Sequence, residues 1–341
     1  TLLSRRNVVT GALMLGVTLA SPLGVHSALA QTLACPPAQR IPFAEGVEPA
    51  NKRIAVSVAY LGVPFYANYK LGLEDAAKQF GFTYDLFDGN LGDVATEIGN
   101  LQNIAAQKYD MVLLTPSGAG ILPAIKQLNE AGIPIIEVNN KAGFGSSDVD
   151  VITYVGADDV DFGRLQVELV ANHFKGEPVK VAYVMGPLSS PAQVLRAQGW
   201  DEAMALHPEI TEIARVSDDF DSAKALAVVQ DLLSRFPKGE LDAIVMQGPE
   251  GAAAVENALR SERSDVAFFA GDYPADIRQF IHDGKIAGTV NQDPYPQAFY
   301  AMEMAYKYFM GHEADIQKPY FLPLPLITRD NAEAVPPAWG C

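Results

Sequence analysis

The sequence predicts an α/β protein with two doubly wound parallel sheets. Three observations predict it. Short apolar runs alternate with helical stripes along most of the chain. The runs end at turn residues, such as Gly62 and Pro64, Thr115-Pro116-Ser117 and Gln247-Gly248-Pro249. The alternation restarts beyond Gly156, so two sheets of similar size are expected rather than one. A chain of 341 residues with 49% hydrophobic residues can bury two such cores.

The elements follow in order. Ile54, Val56 and Val58 form a first strand, buried on both faces because only small residues or Ser lie between them. The period switches at Phe65, where Tyr66, Tyr69, Leu73, Ala76, Ala77 and Phe80 recur at helical steps until Gly81. Phe65 and Tyr66 therefore stand at the carboxyl end of a parallel strand, where open α/β sheets bind ligands. Strand Phe82–Phe87 comes next. A helix carrying Val94, Ile98, Leu101, Ile104 and Ala105 follows, capped by Asp93. Strand Met111–Leu114, a helix with Ile121, Leu122, Ile125 and Leu128, strand Ile133–Val138 and strand Val151–Val155 complete the first half. The second half reads as helix Asp161–Phe174, strand Val179–Met185, helix Val194–Leu206, strand Ile210–Val216 and helix Ala223–Phe236. Strand Asp242–Met246, helix Ala252–Leu259, strand Val266–Ala270, helix Ile277–His282 and strand Ile286–Val290 continue it. A long helix from about Gln297 to Phe309 precedes a Pro-rich tail with no helical pattern.

Charge and the two end segments bound the function. The formal net charge of −16 argues against nucleic acid, which needs a concentrated basic footprint. Residues 1–30 read as an export signal: Arg5-Arg6, an apolar run Gly11–Ala20, and Ala28-Leu29-Ala30 as a cleavage site. The paired arginines resemble a twin-arginine signal, although Val8 and Val9 leave an ordinary secretory signal open. Both imply an exported, periplasmic protein. Cys35 and Cys341 form an even pair, which suggests a disulfide in an oxidising compartment. Lipid attachment at Cys35 is the rival reading, weakened by Thr32 at the position where a bulky aliphatic residue is expected.

No catalytic constellation, metal-ligand spacing or cofactor motif stands out. There is no G-x-S-x-G at a strand-to-helix turn and no phosphate-binding glycine loop. Gly143–Ser146 is a loop. His173, His207, His282 and His312 are scattered, without partners at metal-ligand spacing. The acid runs Asp158-Asp159-Asp161 and Asp218-Asp219-Asp221 read as solvated loop and helix-cap carboxylates. What remains is a set of planar polar groups and aromatics at strand ends. The first half offers Phe65, Tyr66, Asn139 and Asn140; the second offers Arg196, Phe220, Gln247, Asp272 and Gln292. Planar forks grip adjacent hydroxyls in two directions, and aromatic faces cover sugar C–H groups. The composition fits a neutral polyhydroxylated ligand better than it fits catalysis.

Over about Lys52–Phe309 the chain resembles periplasmic sugar-binding proteins of the ribose-binding type, the solute receptors of ABC transporters. The motifs that carry the resemblance are the opening RIAVSVAYLGVPFY, Val151–Gly156 with Ala157-Asp158-Asp159, Arg196-Ala197-Gln198-Gly199-Trp200, Asp219-Phe220-Asp221, Ala270-Gly271-Asp272, and Asp283–Val290 followed by Gln292 and Pro294. The resemblance implies two α/β domains, residues 51–157 with 293–319 and residues 158–292, followed by a tail, 320–341. Crossovers are expected near Gly156–Asp159, Asn291–Pro294 and Lys318–Leu322, with hinge closure about a ligand. It implies that Phe65, Tyr66 and Phe220 stack on a sugar while Arg196, Asp272 and Gln292 hydrogen-bond it. It further implies a monomer working with ABC permease subunits, without cofactor, metal or enzymatic activity. A receptor that presents its ligand to a membrane sensor kinase is the alternative. A lac-type repressor would need a helix-turn-helix where the export signal stands. Asn139-Asn140 replace the family's common Asp-Arg pair, and Gly248 and Gly271 stand where it often carries side chains. A pocket opened at those glycines would take a larger or differently oriented ligand.

Overall fold

A computed structural model describes residues 33–36, 39–143 and 149–341. The expected export signal, and most of the Gly143–Ser146 loop, lie outside the described residues. The alternating pattern folds into two six-stranded sheets. The first contains β1 (Lys52–Val58), β2 (Phe82–Asp88), β3 (Met111–Thr115), β4 (Ile135–Val138), β5 (Thr153–Gly156) and β11 (Tyr320–Phe321). Its order is β2-β1-β3-β4-β5-β11, and every pair is parallel. The second contains β6 (Val179–Met185), β7 (Ile210–Ser217), β8 (Ala243–Met246), β9 (Ala267–Gly271), β10 (Gly288–Val290) and β12 (Leu326–Thr328). Its order is β7-β6-β8-β9-β10-β12, with only β12 antiparallel.

Helices cover both faces of each sheet, as parallel strands require. On the first sheet, α1 (Phe65–Phe80) and α9 (Pro294–Phe309) bury one face around Tyr69, Leu73, Phe80 and Met302. Helices α2 (Val94–Gln107) and α3 (Leu122–Glu130) bury the other around Leu101, Ile104 and Leu128. On the second, α4 (Asp159–Phe174) and α5 (Pro191–Met204) pack over Trp200 and Phe162. Helices α6 (Ser222–Arg235), α7 (Ala252–Arg260) and α8 (Ala275–His282) cover the opposite face. The α4–α5 crossing is unusually close. A Cβ on Gly163 would stand 1.8 Å from Arg196 O, and one on Gly199 would stand 1.7 Å from Val160 O. Only glycine allows this approach, and it sets Arg196 against the start of α4.

The helix caps follow the expected chemistry. Asp93 accepts from Thr96 N, Asp158 from Val160 and Asp161 N, and Asp221 from Lys224 N. The tail departs from expectation. It contributes one short strand to each sheet, so its crossing lies at Leu322–Pro325 rather than Lys318–Leu322. The other two crossings lie at Ala157–Asp158 and Asn291–Asp293. Strands of two and three residues are too short to show a period in sequence. Cys35 and Cys341 form a disulfide with a Cα–Cα distance of 5.4 Å, within the geometric limit for such a bond. The pairing decides between the two readings of Cys35. Among the described residues, no helix is long and apolar enough to cross a membrane.

Candidate functional site

The carboxyl edges of the two sheets meet, and the expected residues lie along them. On the first sheet, the strand order reverses between β1 and its neighbours, which puts the start of α1 at the switch point. Phe65 and Tyr66 are buried there, with ring centroids 5.1 Å apart in an edge-to-face pair. The Tyr66 hydroxyl donates to Asn139 Oδ1 at 3.0 Å. Asn139 follows β4 in a left-handed conformation, φ 65°. Its Nδ2 donates to Gln297 Oε1 at 3.0 Å and to Gln292 Oε1 at 3.4 Å. Asn140 reaches the other lobe. It donates to Pro116 O at 2.8 Å and to Ser190 Oγ at 3.3 Å, and accepts from Ala192 N at 3.2 Å. Since Ser190 and Ala192 belong to the head of α5, its carboxamide is a brace between the lobes.

On the second sheet, Arg196 is buried. Its Nε donates to Asp159 Oδ1 at 2.9 Å, its Nη1 donates to Gln247 O at 3.1 Å, and its guanidinium lies 3.8 Å from the Phe162 ring centre. Those bonds use two of the three guanidinium nitrogens; Nη2 makes no hydrogen bond with the described residues. Asp272 follows β9, also left-handed at φ 62°, and accepts from Gln292 Nε2 at 2.9 Å. Gln292 thus ties the hinge to both walls through Asp272 and Asn139. Phe220 stands at φ 58° with its ring partly exposed. Gln247 is fully buried and engaged by the protein. It accepts from Gly186 N at 2.9 Å and donates to Tyr183 Oη at 2.8 Å and Gln193 O at 3.0 Å. Its geometry is that of a support behind the wall.

Two sequence expectations are corrected here. Gly248 and Gly271 do not open space. A Cβ on Gly248 would stand 2.2 Å from Glu250 Oε2 and 2.8 Å from the Phe220 ring. One on Gly271 would stand 2.0 Å from Gln247 O. Neighbouring groups fold over the missing side chains. The acid runs, second, are not wholly solvated. Asp159 is buried as the partner of Arg196, and Asp218 is 1% exposed, accepting from Phe220 N at 2.9 Å.

The second wall is therefore rich in buried carboxyls. Burial pushes Asp272 up to about 6 against the pull of Arg196, and pushes Asp218 to about 6. Glu250 is pushed to about 8 by burial and by neighbouring Asp218. Its Oε2 is enclosed and makes no hydrogen bond with the described residues. Gln193 Oε1 and Asn291 Oδ1 are likewise enclosed without a partner. Sequence reasoning missed Asp159, Asp218, Gln193, Glu250 and Trp339, whose ring centroid lies 5.0 Å from that of Phe65. Asp159 and Asp218 were visible as members of runs, but nothing in the spacing marks which carboxylate turns inward, and Glu250 lies in no run. Among the described residues no cluster of metal-ligating side chains occurs.

Comparisons with known proteins agree with this architecture. Residues 54–313 match the periplasmic binding protein domain family. The ribose import binding protein of Escherichia coli (strain K12) is 28% identical over 277 residues, covering 81% of this chain and 90% of that protein. An ABC transporter solute binding protein from Bacillus halodurans C-125, solved with bound myo-inositol, superposes with a TM-score of 0.75 at 23% identity. That match covers 84% of this chain and 98% of the other. A periplasmic solute binding protein from Actinobacillus succinogenes 130z, solved with bound D-allose, gives 0.73 at 22% identity, covering 84% and 100%. The chain belongs to the periplasmic binding protein domain family, whose members are solute-binding proteins rather than enzymes.

Proposed function

We propose that the protein is exported, captures a neutral sugar or polyol between its two lobes, and delivers it to an ABC-type membrane permease. One observation carries the proposal most directly. Residues from both sheets and from the hinge form a single polar chain, Tyr66–Asn139–Gln292–Asp272, beside the Arg196 guanidinium. Three members of the candidate set, Asn139, Phe220 and Asp272, hold left-handed backbone at strand ends, a conformation that concentrates at ligand sites. Ribose, myo-inositol and D-allose, named for the relatives, belong to the same chemical class. The working form is a monomer. Residues 51–157 with 293–319 move against 158–292, and the export signal is removed from the mature chain.

The test is a thermal-shift screen with D-ribose, D-allose, xylitol and myo-inositol, with citrate and spermidine as charged controls. A sugar at a hundred times its dissociation constant stabilises the native state by about 2.7 kcal/mol, a shift of several degrees. A response to a charged control with none to any sugar or polyol would reject the class. Truncating Phe65 to Ala is expected to weaken binding of the responding sugar by roughly 1–3 kcal/mol, as loss of a buried aromatic contact would. Calorimetry of the folded variant checks this; unchanged affinity would remove Phe65 from the site.

A further inference from the structure

The two end segments reach the sugar site only through the contact of Trp339 with Phe65, and they meet across the gap between the lobes. Leu33 and Ala34 are held by α8 of the second lobe: Leu33 N donates to Gln279 Oε1 at 2.8 Å, and Arg278 Nη1 to Ala34 O at 2.9 Å. Slightly later the same segment is held by the first lobe. Arg40 pairs with Asp75 at 3.0 Å, Ile41 N donates to the Tyr295 hydroxyl at 3.1 Å, and Ala44 N to Gln79 Oε1 at 3.0 Å. The tail lies on the second lobe, where Ala338 N donates to Tyr273 O at 2.8 Å and Ala275 N to Trp339 O at 3.0 Å. There it touches the first lobe. Asn68 Nδ2 donates to Ala338 O at 2.6 Å, and the Trp339 ring packs edge-on against Phe65. The Cys35–Cys341 disulfide joins the two segments at this point.

We propose that Trp339 is a positioning residue for sugar capture. The disulfide-tied tail holds it on the second lobe, its ring meets Phe65 only when the lobes are closed, and that contact slows ligand release. The proposal rests on the sugar-capture function, because Phe65 is the aromatic assigned to the ligand there. The backbone-to-backbone bonds of Ala338 and Trp339 go to the second lobe, whereas the first lobe holds them by side chains alone, through Asn68 on Ala338 O and apolar packing around Phe65. On opening, the tail therefore stays with the second lobe and leaves Phe65 and Asn68. Geometry makes the contact sensitive to opening. Phe65 follows β1, three strands from β5 at the hinge edge, which is roughly 14 Å at the usual strand spacing. A lobe rotation of about 15° then moves the rings apart by roughly 4 Å, enough to end a van der Waals contact.

The experiment uses the full chain with Trp339→Ala, Trp339→Phe, Asn68→Ala and the pair Cys35→Ser with Cys341→Ser. Two quantities are measured: the small-angle scattering radius of the unliganded protein, and the release rates of labelled D-ribose and myo-inositol. Trp339→Ala and the cysteine pair are expected to enlarge the unliganded radius. They should speed sugar release roughly 5- to 30-fold, the loss of a ring pair and a hydrogen bond, while Trp339→Phe retains most of the effect. Asn68→Ala, which removes a half-buried side chain, tests the same contact if Trp339→Ala fails to fold. Folded variants with unchanged radius and unchanged release would overturn the proposal. If neither sugar binds the unmutated protein, the sugar assignment fails, and the scattering measurement alone still decides the role of Trp339.

Discussion

Arg196→Met is expected to destabilise the folded protein by about 3–5 kcal/mol, the cost of leaving a buried charge unpaired. Asp159 would be that charge. Its side chain is 4% exposed, and Arg196 Nε is its ion-pair partner at 2.9 Å. Burial already pushes the Asp159 carboxyl above its ordinary range against the pull of Arg196. Adding Asp159→Leu should restore most of the stability, since replacing both members of a buried pair by apolar groups is often neutral. Binding should behave differently. In the proposed site the guanidinium Nη2 is the donor to the ligand, so sugar affinity should fall by roughly 2–4 kcal/mol in Arg196→Met and stay low in the double variant. Denaturant unfolding and calorimetry on wild type, Arg196→Met and the double variant separate the two roles. Sugar affinity that recovers with stability would make Arg196 purely structural.

The two roles expected of Arg196 also show what sequence can and cannot reveal. Its presence at a strand-end wall was legible from order: a strand, a turn, then a helix with Gly199 three residues on. The switch from period two to helical period placed Phe65 and Tyr66 in the same way. Its partner was not legible. Asp158, Asp159 and Asp161 lie within one turn, and one of them caps the helix. Which of the others turns inward depends on the α4–α5 crossing, set by Gly163 and Gly199, which are 36 residues apart in sequence. Gly248 misled for a related reason. A missing side chain reads as space, but Glu250 lies across it, a contact that depends on the turn after β8. Trp339 carried no local signal at all. Its position follows from the disulfide and from hydrogen bonds to Tyr273 and Ala275, more than sixty residues earlier.

Glu250→Gln is expected to raise stability at pH 8 by about 2 kcal/mol and to leave it unchanged near pH 4. The sign follows from proton counting. Burial and Asp218 push the folded-state carboxyl to about 8, while in the unfolded chain it titrates in the ordinary range. Between about 4.5 and 8 the folded protein therefore holds a proton that the unfolded chain has lost. Stability must fall as pH rises through that window, and the loss is complete above it. A full shift of that size would correspond to about 4–5 kcal/mol. Glu250 as a residue is only half-buried, so solvent carries part of the cost and about half is expected. Asp218 and Asp272, both near 6, add the same sign up to that pH. Asp85 and Asp93, held low by hydrogen bonds from Tyr109 and Thr96, act oppositely at lower pH. The difference between the two stability curves cancels these shared terms and isolates Glu250. Arg196, Asp218 and Asp272 are the charged groups around it, and because Arg196 pulls the carboxyl down, the window of falling stability should extend to higher pH in the Arg196→Met background. Urea unfolding of wild type and Glu250→Gln at half-unit steps from pH 4 to 9 provides the measurement. A flat difference across the window would mean that the carboxyl is solvated, and that the second wall presents no neutral acid to a sugar hydroxyl at pH 7.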